Sequence, residues 1–161
     1  MTDPDTGEST LIMRRSDYDD GMPHAAPENL REWVPAVRLV KLIQDRVAHL
    51  PAEAATNADA RNLAAVLLWC WATGRYNSWD IAALCEEEPL CHHLAGRTHP
   101  TRADLHRYRR DHEAILRTTL AELLKSVAPE AKAKAAKPVD WVAEAARRQK
   151  RTLEADQEGP G

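Results

Sequence analysis

"LAAVLLWCWATG", from Leu63 to Gly74, decides the fold. Apolar side chains occupy almost every position of the run, so no polar face is left for water. A helix of this kind is buried on several sides and needs other helices around it. It is predicted to run from about Ala58 to Thr73, with Gly74 as the C-terminal cap. The apolar stretch Leu63–Thr73 is too short to cross a bilayer.

Working outward, each flank reads as helix. Pro35 to Leu50 places Val37, Val40, Ile43, Val47 and Leu50 at helical spacing, and Pro35 suits a first turn. On the other side Ser78 is expected to cap a helix with Asp80 in its first turn and Ile81, Leu84 and Cys85 on its inner edge, ended by Pro89. "LCHHLAG" reads as a short helical turn closed by Gly96. Thr101 and Asp104 make a capping-box pattern at the start of one long helix, with Leu105, Tyr108, His112, Ile115, Leu120, Leu123 and Leu124 as its stripe and Pro129 beyond its end. A final polar helix is expected to carry a small apolar patch (Val139, Trp141, Val142, Ala145), with "EADQEGPG" loose after it.

The composition agrees. Good helix formers dominate, and no β-branched run alternates with polar residues. Phe is absent, and Trp33, Trp69, Trp71, Trp79 and Trp141 are expected mostly to anchor the core in its place. The chain of 161 residues suffices for one domain with tails. The fold class is therefore all-α, about five to six helices with a helix-turn-helix-like pair. Residues 1–25 are expected to be a disordered tail, 26–128 the helical domain, and 129–161 a polar helical extension with a loose end.

Charge is unevenly spread. The formal net charge is −3, which does not suit an indiscriminate polyanion binder. Yet Arg97 to Arg110 holds five arginines against one acid, Asp104, while residues 1–20 hold six acids and two bases. On a helix, Arg102, His106, Arg109 and Glu113 share one face, and Leu105, Tyr108 and His112 another. A helix can thus pack on the core and present a basic stripe, as a recognition helix does in the major groove. The competing reading is a solvated face whose arginines pair with Glu86–Glu88 and Asp111. "RRQKR" (Arg147–Arg151) reads as the exposed side of a helix with acids nearby, Glu144 and Glu154.

Other chemistry finds little footing. Cys85, Cys91, His92, His93 and His99 have a spacing that fits no standard zinc pattern, and Cys85 reads as a small buried hydrophobe. No Gly-rich phosphate loop, GxSxG or HExxH is present, so no catalytic residue, metal or cofactor is assigned. The acidic, polar N-terminus is no secretory signal, and three cysteines (Cys70, Cys85, Cys91) make no disulfide framework; a cytoplasmic protein without a membrane segment is expected.

Taken in order, Gly74, Ser78, Cys85–Glu87, Leu94-Ala95-Gly96, Pro100 and Tyr108-Arg109-Arg110 with His112 resemble the N-terminal domain of bacterial insertion-sequence DDE transposases. "WVPAVRLVKLIQDRV" (Trp33–Val47) is similar to that family's opening helix, so the likeness covers about residues 28–125. The chain departs from the pattern at Cys91-His92-His93 and around Asp104-Leu105-His106. Nothing after Pro138 resembles the first strand of the family's RNase H-like catalytic domain. The resemblance implies a non-catalytic DNA-binding domain, truncated or domesticated. Double-stranded DNA would be held through phosphates by Arg97, Arg102, Arg107, Arg109 and Arg110, with His106 and Arg102 reaching base edges. Four or five such contacts imply a log–log salt slope of roughly −4. The alternative is a helical protein-interaction module, self-associating or acting as partner or inhibitor of a full-length transposase through Ala131–Arg148 and exposed tryptophan.

Overall fold

A computed structural model describes residues 26–129, 132 and 139–159, so the expected tail 1–25 lies outside the described residues. Within them the chain is all-helical, without strands. The helices are α1 (Ala36–Ala48), α2 (Ala58–Ala72), α3 (Ser78–Glu87), α4 (Pro89–Leu94), α5 (Arg102–Asp111), α6 (Glu113–Val127) and α7 (Trp141–Glu158). Short 3-10 turns at Leu30–Glu32 and Ala52–Ala54 flank α1.

Helix α2 is the axis of the fold, as its sequence requires. Ala64 through Ala72 are all buried, and α1, α3, α4, α5 and α6 each touch it. Asn57 caps its start by accepting from Ala60 N at 2.8 Å. Its end turns through Gly74, whose φ of +81° is the left-handed geometry that glycine enters without strain. Trp69 and Trp71 are fully buried, Trp33 and Trp141 pack at the core margin, and Trp79 is half-buried. Trp33 meets Trp141 edge-on, with ring centroids 6.4 Å apart.

The expected single helix after Thr101 is two helices. His112, at φ −126° and ψ 29°, leaves the helical region between α5 and α6. No Gly or Pro marks the break. Tyr108 is tied by its hydroxyl to Ala54 O at 2.6 Å, and its ring packs on His112 with centroids 4.6 Å apart. The break lets α5 follow α2 and α3 while α6 pairs with α7. Two smaller expectations also change. Asn77, not Ser78, caps α3, accepting from Trp79 N and Asp80 N. Pro89 does not merely end α3; it opens α4 in the first helical position.

The "loose" end is a correction. Helix α7 continues to Glu158, and the carboxamide of Asn77 donates to Ala155 O at 3.1 Å and Gly159 O at 2.7 Å. Nor does "RRQKR" lie wholly outside. Arg148 is fully buried: its Nε donates to Glu144 Oε2 at 2.9 Å, and its terminal nitrogens donate to the carbonyls of Pro27, Glu28 and Trp71 at 2.6, 2.8 and 2.7 Å. Ala145 and Ala155 lie in the same core cluster as the residues of α1 to α6, so α7 completes that core.

Candidate nucleic-acid interface

Helix α5 is set in place by its N-terminus. Thr101 Oγ1 accepts from Asp104 N at 3.0 Å and Asp104 Oδ2 accepts from Thr101 N at 3.1 Å, the full reciprocal cap. These bonds, the backbone one foremost, hold the Asp104 carboxyl below its usual range. The turn leading in contains Gly96 at φ +66° and Arg97 at φ +63°. A Cβ at Gly96 would lie 2.5 Å from Asn62 Nδ2 on α2 and would force that side chain to move, and the positive φ itself favours glycine.

The six residues expected to contact DNA separate into two groups. Arg97 is exposed. The Arg107 and Arg110 side chains are 61% and 66% exposed, with Asp104 and Asp111 carboxylates at 3.8 and 3.5 Å. These three are available to a ligand. Arg109 is not: only 6% of it is exposed, and its Nη2 donates to Asp156 Oδ2 at 2.6 Å. The same nitrogen donates to His106 Nδ1 at 2.8 Å, which fixes His106 as the neutral tautomer with its proton on Nε2. Burial, then the guanidiniums of Arg109 and Arg102, push the His106 pKa below its usual value. Arg102 lies over the Trp79 ring, 3.8 Å from its centroid. The expected face of Arg102, His106 and Arg109 therefore turns towards α3 and α7. The exposed cationic face is one step round the helix, at Arg107 and Arg110.

Arg107 also borders a cleft of about 430 Å³ between α5 and the start of α2, together with Asp59, Asp104, His99 and His112. Both signs of charge meet there. Of the acids expected to neutralise the stripe, Glu88 instead accepts from Trp69 Nε1 at 2.7 Å and lies 3.6 Å from Arg75.

The cysteine–histidine set is a packing arrangement. Cys85 and Cys91 sulfurs are 3.8 Å apart and buried, and each thiol is pushed up in pKa, Cys85 mainly by its contact with Cys91 and Cys91 mainly by its contact with Cys70. His92 donates from Nδ1 to Cys85 O at 2.8 Å and stacks on His99. His93 accepts from Gln44 at 3.3 Å on the surface. Among the described residues no group of three His, Cys, Asp or Glu is disposed to hold a metal ion.

The residues that sequence reasoning missed are Asp156 and Asn77; Ser78 is expected at the start of α3, but not as a donor to Asp156. Asp156 Oδ1 accepts from Ser78 N and its Oδ2 from Ser78 Oγ, both at 2.7 Å. Seventy-eight positions separate the partners, and no local pattern announces the pairing. Comparison with protein-family models, with curated proteins and with solved structures finds no match to the chain. Among the described residues no helix is long and apolar enough to cross a membrane.

Proposed function

We propose that the chain is a non-catalytic, cytoplasmic DNA-binding domain of transposase descent, needing no cofactor, that grips duplex phosphates with exposed arginines on and before α5. One observation carries this reading. Arg107 and Arg110 stand three residues apart on a capped helix, mostly exposed, and their carboxylate neighbours are themselves exposed. Exposed pairs of this kind contribute only ~0–1 kcal/mol, so a phosphate displaces them with little loss. A short helix, a turn and then α5 suits presentation to a groove, and the order of motifs from Gly74 to His112 supports the descent.

Burial of Arg109 and stacking of Arg102 leave three phosphate contacts, Arg97, Arg107 and Arg110. The salt slope expected is therefore about −3, shallower than the sequence implies. Fluorescence anisotropy of a terminal-repeat-like duplex across a salt series tests this, with Arg107→Ala/Arg110→Ala as the variant. The slope should fall to about −1 in the variant. Binding indifferent to salt, or unaffected by the double substitution, overturns the reading. Exposed Val37, Val142 and Leu153 favour the helical interaction module as a second reading. Light scattering that finds a DNA-free oligomer broken by Val142→Asp would select it.

A further inference from the structure

Asp156 is in the wrong place by helix rules. It stands in the last turn of α7, at the negative end of the helix, and no basic residue in that turn offsets it. What holds it is a seat built by other elements. The Ser78 backbone N–H at the start of α3, the Ser78 hydroxyl and Arg109 Nη2 converge on the two carboxylate oxygens at 2.7, 2.7 and 2.6 Å. The Arg109 and Asp156 side chains are each only 7% exposed. Asn77 joins the two helix ends: its oxygen caps α3 and its amide holds the carbonyls of Ala155 in α7 and of Gly159 just beyond it.

A helix-start N–H, a hydroxyl and a buried guanidinium are the donors that recognise a tetrahedral oxyanion. The seat also has capacity that a carboxylate leaves unused. Arg109 Nε is buried without a partner. A carboxylate offers two oxygens, a phosphate four.

We propose that this seat is a phosphate-binding site whose resident occupant is the chain's own Asp156. When the Asp156 carboxylate withdraws, a phosphate group takes its place. The donors suit a nucleic-acid backbone phosphate and free phosphate alike. The inference stands on the contacts of Asp156 and not on the exposed arginines, so either can fail while the other holds.

The test is Asp156→Ala, which empties the seat, against Asp156→Ala/Arg109→Met, which removes both charges together. Replacing a buried pair with apolar groups is often tolerated. Thermal unfolding followed by circular dichroism compares inorganic phosphate at about 20 mM with sodium chloride at equal ionic strength. Phosphate should raise the midpoint of Asp156→Ala by on the order of 5 °C over chloride, and that of the wild type by less than about 1 °C. The double variant reports the general salting-out effect alone. If Asp156→Ala is unfolded in chloride, recovery of the helical signal in phosphate is the readout. No selective response, or the same response in the double variant, overturns the proposal and leaves Asp156 a structural strut. A duplex oligonucleotide then separates the sources. An affinity gain of about tenfold in Asp156→Ala, lost with Arg109→Met, assigns the seat to backbone phosphate. Unchanged DNA affinity beside phosphate rescue assigns it to free phosphate.

Discussion

Two arginine pairs, Arg109-Arg110 on α5 and Arg147-Arg148 on α7, look alike in sequence and divide differently in space. Adjacent helical positions point about 100° apart, so one member of each pair can face inward. On α5 the first turns in and the second is exposed beside Asp111. On α7 the second turns in, and the first, half-buried, bridges the exposed Glu28 and the buried Glu144. What decides the inward member is unsatisfied backbone and charge elsewhere. Trp71 O belongs to the last turn of α2, where carbonyls lack helical partners, and Arg148 supplies a donor. Arg109 answers the carboxylate of Asp156. A third group is drawn into the α7 arrangement. Burial opposes the charge of Glu28, yet the Tyr76 hydroxyl and the guanidiniums of Arg147 and Arg148 outweigh it and hold the carboxyl below its usual range.

The contrast breaks first at Arg148. Arg148→Ala strands three carbonyls and leaves the buried Glu144 with Arg147 alone, and should cost about 3–5 kcal/mol in urea unfolding. A loss under ~1 kcal/mol would mean that the buried guanidinium anchors nothing. Gly96→Ala comes next. A side chain at φ +66° facing Asn62 is expected to cost about 1–2 kcal/mol and lower the thermal midpoint. Its DNA affinity, measured well below that midpoint, should fall if the turn sets the position of α5.

The exposed members should behave oppositely to the buried ones. Arg107→Ala/Arg110→Ala is expected to leave stability within ~0.5 kcal/mol while weakening duplex binding at least about tenfold. Stability loss comparable to that of Arg148→Ala would erase the distinction between the two sets. The smallest effect is a pH dependence at His106. Its folded pKa lies below the unfolded value of about 6.5, so the unfolded chain takes up the proton first. Its contribution is therefore complete above about pH 6.5 and is lost as pH falls below it, because protonation removes the acceptor for Arg109. Thermal midpoints between pH 7.5 and 5.5 should drop more for the wild type than for His106→Gln.

Much of the fold was legible because its signals are local. The apolar run from Leu63, the cap pair Thr101 and Asp104, and the glycines at 74 and 96 are each decided within a few residues. The split at His112 was not legible, since the neighbours of Tyr108 impose it and no breaker residue does. The candidate site was half legible. Arginine density pointed to α5, but helical periodicity placed Arg102, His106 and Arg109 on the outer face, when Trp79 and Asp156 draw that face inward.

By itself the sequence determined that helices surround α2, where most of them start and stop, and that positive charge gathers near residues 97–110. Propensity, capping and periodicity act over a turn or two, and the chain carries them wherever it goes. Only the tertiary structure decided which guanidiniums remain in water. That choice depends on carboxylates and carbonyls delivered from far along the chain, by α7 above all, and a buried charge tolerates no position without such a partner.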